Sequence, residues 1–131
     1  MKKSLLNECL RLSRAKLSNH PELLNYPHFS YLILKGQICS VGMNRQHEPE
    51  KSLGYHRRIA KADFRPKYHA ELDAVRRNHR RLEGGFEIVN VRLSKSSDTR
   101  MSAPCSVCHL LLTSLGCTRC YFTTNEGWGR C

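Results

Sequence analysis

The stretch "FEIVNVRLSKSSDTRMSAPCSVCHLLLTSLGCTRCYFTT", Phe86–Thr124, decides the fold. "FEIVNVRL" is a run of β-branched and apolar residues that reads as a strand. "SKSSDTRM" is a polar connection, "CSVCHLLLTSL" reads as a helix capped by Gly116, and "RCYFTT" as a further strand. A strand, a crossover helix and a second strand imply that the two strands pair in parallel.

Working back from that unit, "FSYLILKGQICSVGMN" has β-formers on both sides of Lys35-Gly36, which predicts a hairpin over Phe29 to Gly42. Leu5, Leu6, Cys9, Leu10, Leu12 and Leu17 fall near helical spacing, so residues 3–18 read as a first amphipathic helix. Residues 43–66 lack a clean period and read as a long irregular loop. A helix follows from Pro66 to about Leu82, with Leu72, Val75 and His79 on one face and arginines on another, and stops at Gly84-Gly85. The predicted order is α-β-β-α-β-α-β in one domain, residues 1–131.

Hydrophobic residues make up 40% of the 131 and charged residues 25%, ordinary globular usage that argues against disorder. The N-terminal "MKKSLLNECLRLSRAKL" has its apolar residues interrupted by Asn7, Glu8, Arg11 and Arg14, so it lacks a signal-peptide core. No apolar run approaches the ~18 residues of a membrane span. A soluble, cytoplasmic protein without a membrane partner is expected. The net charge is +11, with a cluster at Arg57, Arg58, Lys61, Arg65, Lys67, Arg76, Arg77, Arg80 and Arg81. Such a field attracts polyanions, although solvated helix faces give the same pattern.

Four of the seven cysteines lie in two Cys-x-x-Cys pairs, which in an intracellular chain favours a metal or reactive thiols over disulfides. Cys105 and Cys108, at i and i+3 of a helix start, place both sulfurs near free N–H groups and the positive end of the dipole, where thiolates are favoured. Pro104 suits that first turn. A closed site of Cys105, Cys108, Cys117 and Cys120 is disfavoured, because about nine helical residues at ~1.5 Å each separate the pairs by roughly 13 Å. Cys120, in a strand, reads as a small buried hydrophobe. His69 is the other candidate third ligand, two residues before Glu71 at the opening of its own helix; alone, "HAE" would read as a surface histidine and a dipole-favoured glutamate.

His-Ala-Glu opening one helix, followed by a strand and by Pro-Cys-x-x-Cys opening the next, resembles the zinc-dependent cytidine and deoxycytidylate deaminase superfamily. The resemblance implies a three-layer α/β/α cytidine-deaminase-like fold with a mixed sheet of about four or five strands. It implies that His69, Cys105 and Cys108 bind Zn2+ with a water in the fourth position, and that Glu71 is the proton shuttle. Zinc lowers the pKa of its water towards neutrality, which is the chemistry of a hydrolase that releases ammonia from cytosine and leaves uracil. Asn44 in "VGMNR" matches the family's sugar contact, and Ala70, Ala103 and Pro104 fall where the family faces the base. His109 reads as a helix-surface residue. The chain departs from many members in having only "NEGWGRC" after "YFTT", so its sheet is expected to be minimal or completed by a neighbour. With histidine at position 69 it looks more like the deoxycytidylate, tRNA-adenosine and polynucleotide cytosine branches than like the tetrameric free-cytidine enzymes.

Charge is the only discriminator of substrate. It leans towards cytosine in single-stranded nucleic acid, with Arg57, Arg58, Arg65 and Lys67 as phosphate contacts and Tyr55, Phe64, Tyr68 and Trp128 as stacking surfaces. The alternatives are a deoxycytidylate deaminase, an adenine deaminase on nucleic acid, and a non-enzymatic basic zinc module. A homo-oligomer is compatible with each, and Cys117, Cys120 and Cys131 have no assigned role.

Overall fold

The computed structural model describes residues 1–19, 27–44, 70–76, 82 and 84–131. Among the described residues nine elements run in the order α1 (Lys3–Asn19), β1 (His28–Leu34), β2 (Gln37–Met43), α2 (Ala70–Arg76), β3 (Phe86–Leu93), β4 (Thr99–Arg100), α3 (Ser106–Ser114), β5 (Cys117–Thr123) and β6 (Trp128–Arg130). The chain is α/β, with a mixed six-stranded sheet in the order β2-β1-β3-β5-β6 and β4 paired to β3. Six strands stand where four or five were expected, two of them short. β4 lies within the polar connection, and β6 pairs antiparallel with β5 through Phe122↔Gly129, so a further strand does follow "YFTT".

Lys35 and Gly36 both have positive φ, 51° and 75°, and form the two-residue hairpin turn between β1 and β2. β3 and β5 pair in parallel as the crossover predicts, with Phe86 opposite Cys117 and Glu87 opposite Arg119, so Thr118 is an extra residue on β5. Gly116, φ 100°, closes α3 where the sequence placed its cap.

Alternation along the strands sorts two cores. Phe29, Tyr31, Ile33, Val89, Val91 and Leu93 face α1, whose Leu6, Cys9, Ser13 and Leu17 recur at spacings of three and four. The Ser13 hydroxyl donates to the Cys9 carbonyl at 2.8 Å and pairs with the Tyr31 hydroxyl at 2.7 Å, satisfying a buried phenol. Leu32, Ile88 and Phe86 face the other way, against Ala74 and Val75 of α2 and Leu112 of α3. Helices therefore cover both faces, and α2 and α3 lie beside each other on one of them.

The expected two faces show in the described part of the second helix, where Leu72 and Val75 are buried and Arg76 is exposed. Ala70 through Val75 are all buried, Glu71 and Asp73 included; His79 lies outside the described residues. The acids are tolerated because protein donors reach them. The Met43 N–H donates to Asp73 at 3.1 Å, and Arg76 lies 3.5 Å from the same carboxylate.

Candidate functional site

α3 opens with Cys105 as its N-cap, in extended conformation, and the Cys105 sulfur accepts the Cys108 N–H at 3.4 Å. The helix thus begins at Ser106, and Pro104 precedes the cap rather than sitting in the first turn. Cys105 is exposed and Cys108 buried. Ala103 is exposed and Pro104 half-buried beside them, whereas Ala70 is fully buried at the start of α2.

Glu71 follows Ala70 and is 1% exposed. Its partner comes from β3. The Asn90 amide donates to Glu71 Oε2 at 3.1 Å and to the Ser102 carbonyl at 3.0 Å, while the Ser30 hydroxyl donates to Asn90 Oδ1 at 2.6 Å. Ser102 is held in turn, its hydroxyl accepting the Thr123 N–H at 2.8 Å and donating to the Asn90 carbonyl at 3.0 Å. One buried amide therefore ties the acid of α2 to the segment that enters α3 three residues before Cys105. A network of this kind, satisfied at every member but one, fixes positions closely.

The exception is Glu71 Oε1, which is buried and has no hydrogen-bond partner among the described residues. An orphaned carboxylate oxygen is costly unless something else accepts its proton or occupies its lone pairs. The His28 ring is close by, with its Nε2 4.0 Å away. His28 is itself clamped by Asn44, whose Oδ1 accepts the His28 N–H at 3.0 Å and whose N–H donates to the His28 carbonyl at 3.2 Å. Asn44 thus commits its side-chain oxygen to holding β1.

His69, Arg57, Arg58, Arg65 and Lys67 lie outside the described residues, as do Tyr55, Phe64 and Tyr68. Among the described residues no group of three or more His, Cys, Asp or Glu side chains converges as a metal site, so Cys105, Cys108, Cys117 and Cys120 do not form one. Cys120 packs in the core, where burial pushes its thiol far up from the ordinary range, and burial raises Cys117 to about 11. His109 is exposed on α3. An open cavity of about 720 Å³ lies elsewhere, between the start of α1 and the hairpin turn, and its Lys2, Glu8, Lys35 and Glu87 mix both charges.

The sequence reading missed His28, Ser30, Asn90 and Ser102. Asn90 alone carried a signal, being the one amide in the middle of an apolar strand. No protein-family model, curated protein or solved structure matches the chain.

Proposed function

We propose that the chain is a zinc-dependent hydrolytic nucleobase deaminase that converts cytosine to uracil with release of ammonia, acting on single-stranded nucleic acid. The observation that carries this reading is the Asn90 bridge, which joins the Glu71 carboxylate to the Ser102 carbonyl and leaves Glu71 Oε1 buried without a partner. A structural carboxylate would have both oxygens satisfied; an acid that must receive and deliver a proton needs one open.

Cys105 and Cys108, with His69, would hold the zinc, and the donor set fits: a capping sulfur and a buried one open a single helix. When bound, zinc supplies the acidity that brings a water within reach of deprotonation near neutral pH. Glu71 takes that proton at Oε1 and passes it to the ring nitrogen as the hydroxide oxygen bonds C4. It then takes the proton of the new C4 hydroxyl and delivers it to the amino group, which leaves as ammonia as the C4 carbonyl forms. Asn90 keeps Oε2 occupied throughout, which leaves Oε1 to carry the proton. The buried surroundings of Glu71 exclude bulk water from the transfer. The preference for a polynucleotide rests on the net charge of +11.

Metal analysis tests the ligand set. Wild type should carry about one zinc per chain, lost in Cys105→Ser, Cys108→Ser and His69→Ala and kept in Cys117→Ser. Zinc retained in all four variants would contradict the assignment.

A further inference from the structure

The face that holds Glu71 also carries a row of basic side chains that the proposed reaction does not use. His28 stands opposite Arg92 across β1 and β3, and Arg92 stands opposite Arg100 across β3 and β4. Cross-strand partners share a face. Val91 and Leu93 point to α1, so Arg92 and its two partners lie on the side of α2 and α3, two positions along β3 from Asn90. Like charges placed directly opposite on adjacent strands repel, and a sheet ordinarily relieves them with an acid. Among the described residues no carboxylate lies within 4.0 Å of either guanidinium. Arg92 is half-buried, with an Nε that is buried and has no hydrogen-bond partner. Arg100 spends one Nη1 on the Thr99 carbonyl at 3.1 Å.

Two adjacent guanidinium forks with no carboxylate beside them among the described residues offer donors to the non-bridging oxygens of a phosphate group, which they match bidentately. Their position relates them to the reaction. The His28 end of the row reaches within 4.0 Å of Glu71 Oε1, and Arg100 lies two residues before Ser102, whose carbonyl accepts from the same amide as Glu71. Neighbouring strands are about 4.8 Å apart, so the arginines start one and two strands from His28, roughly the span from a base to its own or the next phosphate.

We infer that Arg92 and Arg100 form a phosphate site, which holds a phosphate attached to the nucleotide whose base reaches Glu71. The inference rests on the deaminase reading for the identity of that base, whereas the anion site itself is measured by binding alone. The phosphate belongs either to a free nucleotide or to a polynucleotide backbone, and both present the same chemistry to the arginines.

The test compares wild type, Arg92→Gln, Arg100→Gln and the double variant, with the thermal midpoint of each recorded. The ligands are deoxycytidine, deoxycytidylate and a labelled cytosine-containing single-stranded oligonucleotide. The folded double variant should bind a phosphate-bearing ligand about tenfold or more weakly, as expected for lost charge-assisted hydrogen bonds, with deoxycytidine unchanged. On the oligonucleotide, the salt slope should become shallower by about 0.7 per arginine. Loss on deoxycytidylate alone assigns the site to a free nucleotide, and loss on the oligonucleotide assigns it to the backbone. A folded double variant that binds both phosphate-bearing ligands like wild type overturns the site, whatever its turnover. Lost phosphate affinity in a chain that deaminates nothing keeps the anion site and overturns only its deaminase setting. Should Arg92→Gln fail to fold, Arg100→Gln carries the comparison, and unchanged affinity there overturns the site equally.

Discussion

Asn90 makes two donations from one amide nitrogen and accepts at its oxygen, all at zero exposure. Removing the amide would leave Glu71 Oε2, the Ser102 carbonyl and the Ser30 hydroxyl short of a partner. Each buried group so stranded costs roughly 1–3 kcal/mol. Asn90→Ala should therefore lower the urea midpoint clearly and abolish deamination even where the chain remains folded. A loss under about 0.5 kcal/mol, the range of an ordinary surface change, would contradict the network. At Cys9, burial raises the thiol from 9.0 to about 12. The folded chain then keeps a proton that the unfolded chain releases, so this contribution to stability is intact below about pH 9 and is lost as pH rises towards 12. Thermal midpoints measured across that window should fall for wild type and fall less steeply for Cys9→Ala; parallel curves would refute the assignment.

Among the elements, α2 depends on one glycine. A Cβ at Gly42 of β2 would overlap backbone atoms of Ala70 and Ala74, so the helix carrying Glu71 docks only because position 42 has no side chain. Overpacking that backbone cannot relieve costs roughly 1–3 kcal/mol or more, and Gly42→Ala should displace α2 and inactivate the site. Gly36 differs: nothing lies within 4 Å of an added Cβ, and only its φ of 75° opposes one. Gly36→Ala should cost roughly 1–2 kcal/mol and leave activity in place. Denaturant midpoints and near-UV spectra of the two variants separate these mechanisms. The hairpin was legible because Lys35-Gly36 interrupts two β-rich runs, and the parallel pair because a helix-length segment joins two strands. β4 and β6, with two and three residues, are too short to show a period. Periodicity carried no sign that Glu71 and Asp73 are buried, since it weighs residue type and cannot see Asn90 or the Met43 N–H arriving from other strands.

For the molecule as a whole, sheet order gathers residues far apart in sequence. His28 and Asn44 from the hairpin, Glu71 from α2, Asn90 from β3 and Ser102 from the entry to α3 meet on one face. The His-x-Glu and Pro-Cys-x-x-Cys spacings singled out Glu71, Cys105 and Cys108 as candidates, because such motifs recur at fixed local offsets. Their supporting residues were not legible, because each is polar for a contact made only after folding. No described helix is long and apolar enough to cross a membrane. The central claim is that Glu71 is a proton carrier rather than a buried structural acid. The most direct test incubates wild type and Glu71→Gln, matched for zinc content, with a cytosine-containing single-stranded oligonucleotide and follows the conversion of cytosine to uracil by mass. The account predicts turnover by wild type and none by Glu71→Gln. Equal turnover by the two, or none by a zinc-loaded wild type on oligonucleotide, deoxycytidylate or cytidine, would contradict it.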